Sequence, residues 1–182
     1  VAIAMRNFPE LLVLILAISS IGGVAVFLNA WWTTQELDYA LRDSGARIVF
    51  ADGPRMQRLA PSRTDLGLTL IGVRDAEGEG AYDFTALKKA AGSEVAPEVM
   101  IDTDDDFAVM YSSGTTGYPK GVKRPLPEEP YGSIEGMAVM TALYGASTDS
   151  IYLSPAPLYH AAPLGFTMTC LRNGIPVVVM EH

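Results

Sequence analysis

Apolar and polar residues alternate along the chain in blocks that predict helices and strands in turn. The longest apolar block, Leu11–Ala30, is twenty residues without a charge. Pro9 suits the first turn of a helix and Gly22 suits its end, so we expect a helix over Pro9–Ile21, then a turn and a buried strand over Val24–Leu28. A block of this length could also span a bilayer, and that alternative stays open.

The rest of the chain continues this alternation. Thr33 and Glu36 have the spacing of a capping box, which predicts a helix that ends at Gly45. Strands alternating with helices predict an α/β fold with a largely parallel sheet. The other predicted strands are Arg47–Ala51, Leu68–Val73, Phe107–Tyr111, Ile151–Leu153 and Ile175–Met180, and the other predicted helices are Pro54–Ala60, Phe84–Ala91 (capped by Asp83), Ile134–Tyr144 and Leu164–Arg172.

Composition and charge exclude several classes of function. The 182 residues are 49% hydrophobic and only 19% charged, which predicts that other protein covers much of the surface. The formal net charge of −8 argues against a nucleic-acid partner, because phosphate backbones demand clustered basic residues. Cys170 is the single cysteine, so we expect neither a disulfide framework nor a cysteine-based metal site, and a reducing cytoplasm fits.

No metal site is assigned from the sequence. The acidic run "DTDDD" at 102–106 is the one stretch that suggests one. Runs of carboxylates are usually solvated faces or loops, so a solvated turn before the strand Phe107–Tyr111 is the preferred interpretation.

The stretch "YSSGTTGYPKG", from Tyr111 to Gly121, carries the clearest chemistry. Successive backbone N–H groups in a glycine-rich turn bind anions, and hydroxyls and a lysine add further donors. At the end of a strand in an α/β sheet, such a loop lies where ligands usually bind, which predicts a phosphate chain as its ligand. Two residues separate Gly117 from Lys120, so this is not the Walker A pattern. A flexible polar turn is the alternative.

This stretch resembles the signature of the adenylate-forming (AMP-binding) superfamily, which includes acyl-CoA synthetases, aryl-CoA ligases, luciferases and peptide-synthetase adenylation domains. "GGVAVFLNAWWTTQELDYALRDSGARIVF" and "YLSPAPLYHAAPLGF" resemble the segments before and after it, so the likeness covers nearly the whole chain. "PKGVKRP" followed by "PLYHAAP" looks most like bacterial fatty-acid–CoA ligases and relatives that act on bulky acids.

The resemblance implies a reaction in which ATP and a carboxylic acid give an acyl-adenylate, which CoA then converts to a thioester. ATP, Mg²⁺ and CoA are the implied cofactors and co-substrates. The resemblance is compatible with a protein that contacts a membrane but not with an integral membrane protein. His160 matches a family position at the mouth of the acyl pocket. The alternative is that it is a hydrogen-bonded structural histidine. No catalytic residue is assigned. The implied ligands of the ATP phosphates are Ser112, Ser113, Gly114, Thr115, Thr116, Gly117 and Lys120.

Other segments typical of this superfamily do not occur in the 182 residues. They are a Thr-Glu segment that helps place Mg²⁺, a Thr-Gly-Asp that holds the ribose, a hinge arginine and a lysine on a mobile domain. We therefore expect residues 1–182 to be part of a large N-terminal adenylation domain, without the C-terminal lid domain and inactive alone. Two alternatives remain: an enzyme that loads a carrier protein, or a non-catalytic relative that is associated with membranes.

Overall fold

The structure, a computed structural model, describes residues 1–74, 76–93, 95–102, 104–112, 119–122 and 142–181. The chain divides into two compact units, which we describe separately. The first comprises Val1–Arg6 and Glu10–Lys123, and the second comprises Asn7–Pro9 and Arg124–His182.

The first unit is built on a seven-stranded sheet with the strand order β5-β4-β3-β1-β2-β6-β7. Neighbouring strands run parallel except β6 and β7, which are antiparallel, so the predicted α/β fold with a largely parallel sheet is confirmed. The strands are β1 (Ala2–Ala4), β2 (Ala25–Phe27), β3 (Ile48–Ala51), β4 (Thr69–Gly72), β5 (Tyr82–Asp83), β6 (Ala108–Tyr111) and β7 (Gly121–Val122).

Four of the five helices of the first unit fall close to their predicted positions, and the short helix Arg63–Leu66 was not predicted. The apolar block forms a helix, a turn with Gly22 at φ +70°, and a strand, as predicted. Among the described residues, no helix is both long enough and apolar enough to cross a membrane. The helices are α1 (Pro9–Ser20), α2 (Thr34–Ser44), α3 (Gly53–Leu59), α4 (Arg63–Leu66) and α5 (Phe84–Ala90), with a 3-10 turn at Ala60–Ser62.

Helix α2 has both ends fixed by the residues predicted to fix them. The Thr33 backbone N–H donates to Glu36 Oε2 at 2.8 Å, and the Glu36 N–H donates back to Thr33 Oγ1 at 3.4 Å. Gly45 ends the helix at φ +67°, in the left-handed region where glycine carries no steric cost. The buried face of α2, formed by Leu37, Ala40 and Leu41, packs in the main core with β1 and β3.

A buried ion pair joins the carboxyl ends of the central strands. Asp52 follows β3, is 4% exposed and accepts from the Arg6 backbone N–H, just after β1, at 2.9 Å. Arg55, 2% exposed, donates from Nη1 to Asp52 Oδ2 at 3.1 Å and from Nε to the Ala30 carbonyl, beyond β2, at 2.7 Å. Buried charges are tolerated when they are paired and hydrogen-bonded, and here one pair links three strand ends.

The second unit contains a two-stranded parallel sheet and one long helix. Its elements are β8 (Tyr152–Ser154), α6 (Ala161–Arg172) and β9 (Val177–Val179). Cys170 on α6 is 1% exposed, and burial raises the pKa of its thiol, so it behaves as a small hydrophobic residue. The Asn7 side chain accepts from the Leu158 N–H at 2.9 Å and donates to the Met180 carbonyl at 2.7 Å.

The differences from the sequence prediction concern short elements and one helix start. Strands β1, β5 and β7 were not predicted. Helix α6 begins at Ala161 rather than Leu164, because Pro163 is acceptable in a first turn, where its missing N–H is not needed. The predicted helix Ile134–Tyr144 lies outside the described residues apart from 142–144.

We expect Arg55→Ala to lower the free energy of unfolding by about 3–5 kcal/mol, because it leaves the Asp52 carboxylate buried without its partner. Urea denaturation followed by circular dichroism measures the loss. Arg42→Ala is the matched control: it also breaks ion pairs of an arginine with aspartates, but that side chain is 51% exposed. Its loss should be much the smaller, and equal losses in the two variants would contradict the role of the buried pair.

Candidate phosphate-binding site

The glycine-rich loop is closed at its base by two hydrogen bonds. Strand β6 ends at Tyr111 and β7 begins at Gly121, which lie directly opposite each other. The Ser112 N–H donates to the Lys120 carbonyl at 2.9 Å, and the Lys120 N–H donates to Ser112 Oγ at 3.1 Å. The structure therefore brings two of the predicted phosphate ligands together. The other five, Ser113, Gly114, Thr115, Thr116 and Gly117, lie outside the described residues.

The donors at this base suit an anion. Ser112 and Lys120 are both exposed, at the carboxyl edge of the parallel strands, where ligands of α/β sheets usually bind. Ser112 Oγ accepts a hydrogen bond through a lone pair, so its proton remains available for donation to a ligand. The lysine ammonium supplies positive charge without an acceptor, which is the chemistry that a polyphosphate requires. The described part of the loop thus offers a hydroxyl donor and a cationic donor of the kind that an anion accepts from.

Tyr111, the residue just before the loop, is held by contacts of its buried side chain. Its side chain is 9% exposed, and its ring meets that of Trp32 edge to face, with centroids 5.8 Å apart. The Tyr111 hydroxyl donates to Asp43 Oδ2 at 2.7 Å, with the Ala40 carbonyl at 3.3 Å. Burial, followed by the hydrogen bond to Asp43, raises the pKa of Tyr111 above its ordinary value of 10.0. Within the described residues, the buried indole N–H of Trp32 has no acceptor.

His160 lies in the second unit, at the start of α6. It occupies the N-cap position, and its exposed imidazole does not cap a helix N–H. Its ring contacts that of Tyr159, with centroids 4.8 Å apart. The described contacts thus give His160 an exposed ring at a helix N-terminus, and its role in binding the acid remains a proposal.

The second unit also contains an apolar cavity of about 460 Å³ that does not include His160. The cavity lies beside β8 and α6. Apart from tyrosine hydroxyls, Ser150 and the buried Cys170, its lining is apolar, so it has space for an apolar group rather than a catalytic centre. The lining residues are Tyr144, Ala146, Ser150, Ile151, Tyr152, Leu153, Pro155, Phe166, Cys170 and Ile175.

The acidic run before β6 forms a turn, as the sequence indicated. The Asp102 N–H donates to Asp105 Oδ2 at 2.9 Å, and the Asp104 N–H donates to Asp102 Oδ1 at 3.1 Å, so these carboxylates cap the backbone of their own turn. In the part of the chain that the structure describes, no group of three or more His, Cys, Asp or Glu side chains could hold a metal ion.

Two residues of this site were not assigned from the sequence. Asp43 lies in the last turn of α2, where a negative charge interacts unfavourably with the helix dipole. An acidic residue at this position is a signal that the sequence itself contains. Nothing in the sequence shows that the ring of Trp32 meets that of Tyr111. The contacts of Tyr111 with Asp43 and Trp32 span 68 and 79 positions of the chain and depend on the strand order.

Comparison with known proteins identifies one family along the whole chain. The model of the AMP-binding enzyme family matches residues 1–182. 4-Coumarate–CoA ligase 1 of Arabidopsis thaliana is 30% identical over 190 residues, which cover 99% of this chain and 33% of that protein. 2-Succinylbenzoate–CoA ligase of Oceanobacillus iheyensis is 30% identical over 183 residues, covering 100% and 34%. The chain thus spans about a third of the length of these curated relatives.

Solved structures share the fold. The inhibitor-bound N-terminal domain of FACL13 from Mycobacterium tuberculosis superimposes with a TM-score of 0.79 at 25% identity, covering 100% of this chain and 44% of that one. The o-succinylbenzoate CoA synthetase of Bacillus subtilis, in complex with its acyl-adenylate intermediate, gives a TM-score of 0.71 at 27% identity, covering 100% and 43%.

We expect the stability that the Tyr111 hydroxyl contributes to be present below pH 10 and to be lost as the pH rises further. The pKa of Tyr111 is raised on folding, so above pH 10 the unfolded chain releases a proton that the folded chain retains, and unfolding becomes easier. Urea denaturation of the protein and of Tyr111→Phe between pH 8 and 11.5 measures this. The advantage of the wild type over Tyr111→Phe should shrink above pH 10.

Tyr82→Phe is the matched control for this measurement, since the Tyr82 ring is 57% exposed. Its loss of stability at pH 8 should be the smaller of the two, because an exposed ring contributes less to the core. An advantage of the wild type over Tyr111→Phe that is constant from pH 8 to 11.5 would contradict the raised pKa.

Proposed function

Because the chain belongs to the AMP-binding enzyme family, we propose that the whole protein is an ATP-dependent, AMP-forming ligase that joins a carboxylic acid to CoA. Residues 1–182 then form part of its N-terminal adenylation domain, to which a C-terminal lid domain would be added. The observation that carries the proposal is the loop closed by Ser112 and Lys120 at the carboxyl edge of the sheet.

The proposed reaction has two steps. A carboxylate oxygen of the acid attacks the α-phosphorus of ATP, and the bond from that phosphorus to the oxygen bridging to the β-phosphate breaks. Pyrophosphate departs, and the acyl-adenylate is formed. The sulfur of CoA then attacks the acyl carbonyl, AMP leaves and the thiol proton is released. Because ATP and CoA are the co-substrates and Cys170 is kept as a free thiol, the proposed compartment is the cytoplasm.

In the first step, the loop would stabilise negative charge as it builds on the departing pyrophosphate. Donors fixed before the reaction contribute most to such stabilisation, because they need no reorganisation in the transition state. The loop hydroxyls, the backbone N–H groups of its glycines and the Lys120 ammonium are the donors proposed for the β- and γ-phosphates. Mg²⁺ would neutralise charge on the same phosphates when bound, and no described residue is assigned as its ligand.

The proposed acid is a fatty acid or another bulky carboxylic acid. The names of the relatives point to bulky acids, since they include ligases of 4-coumarate and of 2-succinylbenzoate. His160 is the proposed contact near the carboxylate, at the mouth of the acyl pocket. CoA release distinguishes this proposal from the loading of a carrier protein, and a membrane-associated relative without catalysis would show no exchange of pyrophosphate.

We expect Lys120→Ala in the whole protein to lower the rate of acid-dependent ATP–pyrophosphate exchange by about 10- to 100-fold, because a cationic donor to the leaving group is lost. A panel of fatty and aromatic carboxylic acids provides the substrates. Lys89→Ala, at an exposed position of α5, is the control and should retain the wild-type rate. Equal rates in the two variants would remove Lys120 from the site, and a wild type without exchange on any acid would overturn the proposed function.

We expect His160→Ala to raise the KM for the acid by about 10-fold and to change the KM for ATP by less than about twofold, because His160 is proposed to contact the acid and not ATP. The same exchange assay, with each substrate varied in turn, measures both constants. A change in the KM for ATP alone would contradict this placement.

A further inference from the structure

Asp43 occupies a position that local helix energetics do not favour. It lies in the last turn of α2, two residues before the C-cap Gly45, where the helix dipole repels a negative side chain. Its carboxylate is exposed, yet Oδ2 accepts from the Tyr111 hydroxyl at 2.7 Å, the length of a strong hydrogen bond to a charged acceptor. A residue that breaks a local rule and makes one specific long-range contact is a candidate for a role beyond the helix.

The residue that Asp43 holds is the last one before the phosphate loop. Tyr111 ends β6, and the next residue, Ser112, makes both hydrogen bonds that close the loop. The Tyr111 ring lies close to the returning strand β7, since a Cβ placed on Gly121 would be 3.8 Å from the ring. Trp32 contacts the ring edge to face. The ring therefore has the returning strand and Trp32 as neighbours, while its hydroxyl is hydrogen-bonded to α2.

We propose that Asp43 is a positioning residue for the phosphate loop, acting through the hydroxyl of Tyr111. The inference deepens the proposed function and rests on it. The aromatic contacts of Tyr111 would hold a phenylalanine equally well, but only the hydroxyl reaches Asp43. The hydrogen bond thus fixes the end of β6 relative to α2, and with it the positions of Ser112 and Lys120, on which binding of the ATP phosphates depends in the proposed function.

The experiment uses the whole protein and a double-mutant cycle of Asp43→Ala, Tyr111→Phe and the double variant, with Asp43→Asn as the conservative change. In the exchange assay, we expect Asp43→Ala to raise the KM for ATP by about 3- to 10-fold and to leave the KM for the acid within about twofold. Asp43→Asn should restore most of the loss, because its amide oxygen still accepts the hydroxyl. The double variant should be no worse than Tyr111→Phe alone.

Asp38→Ala is the matched control on the same helix, since Asp38 pairs with Arg42 rather than with Tyr111. It should leave both KM values unchanged, and thermal unfolding shows that every variant is folded. An unchanged KM for ATP in folded Asp43→Ala would overturn the proposal. So would full additivity of the two single changes, because Asp43 would then act independently of Tyr111.

Hydrogen exchange separates this inference from the proposed function. We expect the amide of Ser112 to exchange at least about threefold faster in Asp43→Ala and Tyr111→Phe than in the wild type, with no change in Asp38→Ala. This readout needs no catalysis. If the wild type shows no ATP–pyrophosphate exchange with any acid, the proposed function fails. Faster hydrogen exchange at the Ser112 amide in the two variants would still support the positioning role. Unchanged exchange at Ser112 overturns it.

Discussion

The central strand β1 is the constraint on which the rest of the first unit depends. Its three residues are at most 1% exposed, and it pairs with β2 on one side and β3 on the other. The Val1 backbone nitrogen extends this pairing with a hydrogen bond to the Val24 carbonyl at 2.9 Å. Because β6 follows β2 in register, the position of β1 determines where β6 ends. A three-residue strand thus places the phosphate loop and the Asp52–Arg55 pair at one edge of the sheet.

The loop differs in construction from a phosphate loop that lies between a strand and a helix. A parallel strand must continue into a crossover, so a loop after it is fixed at the strand and at whatever follows. Here the chain turns back and pairs antiparallel with the strand it has just left. Both ends of the loop are therefore set by β6 alone, and a displacement of β6 would move the two ends together.

The sequence predicted most of the fold, since the elements with strong local signals were found. The capping box and Gly45 defined α2 within a residue, and the apolar block was divided correctly by Gly22. The strands β5 and β7 were missed because they have two residues each, too few for a period of two to show. Strand β1 (Ala2–Ala4) has a single β-branched residue, so it carries little local strand signal, and all three strands exist through backbone pairing with their neighbours.

Less of the candidate site was accessible from sequence. The motif identified the loop and predicted Ser112 and Lys120 as ligands, but it did not show that the Ser112 side chain closes the loop. The Tyr111–Asp43 bond joins residues 68 positions apart, and the burial of the Asp52–Arg55 pair follows from the strand order. Both are products of the tertiary fold, so no local pattern contains them.

The two tryptophans of the chain are neighbours with opposite environments. Trp31 is 66% exposed and lies near the guanidinium of Arg6, whereas Trp32 is 4% exposed against Tyr111. Their fluorescence should differ accordingly, with a red-shifted component from Trp31 that acrylamide quenches and a blue-shifted one from Trp32 that it does not. Within residues 1–182, Trp31→Phe would leave Trp32 as the single tryptophan, so that the entry to the phosphate loop carries an intrinsic optical probe without any added label.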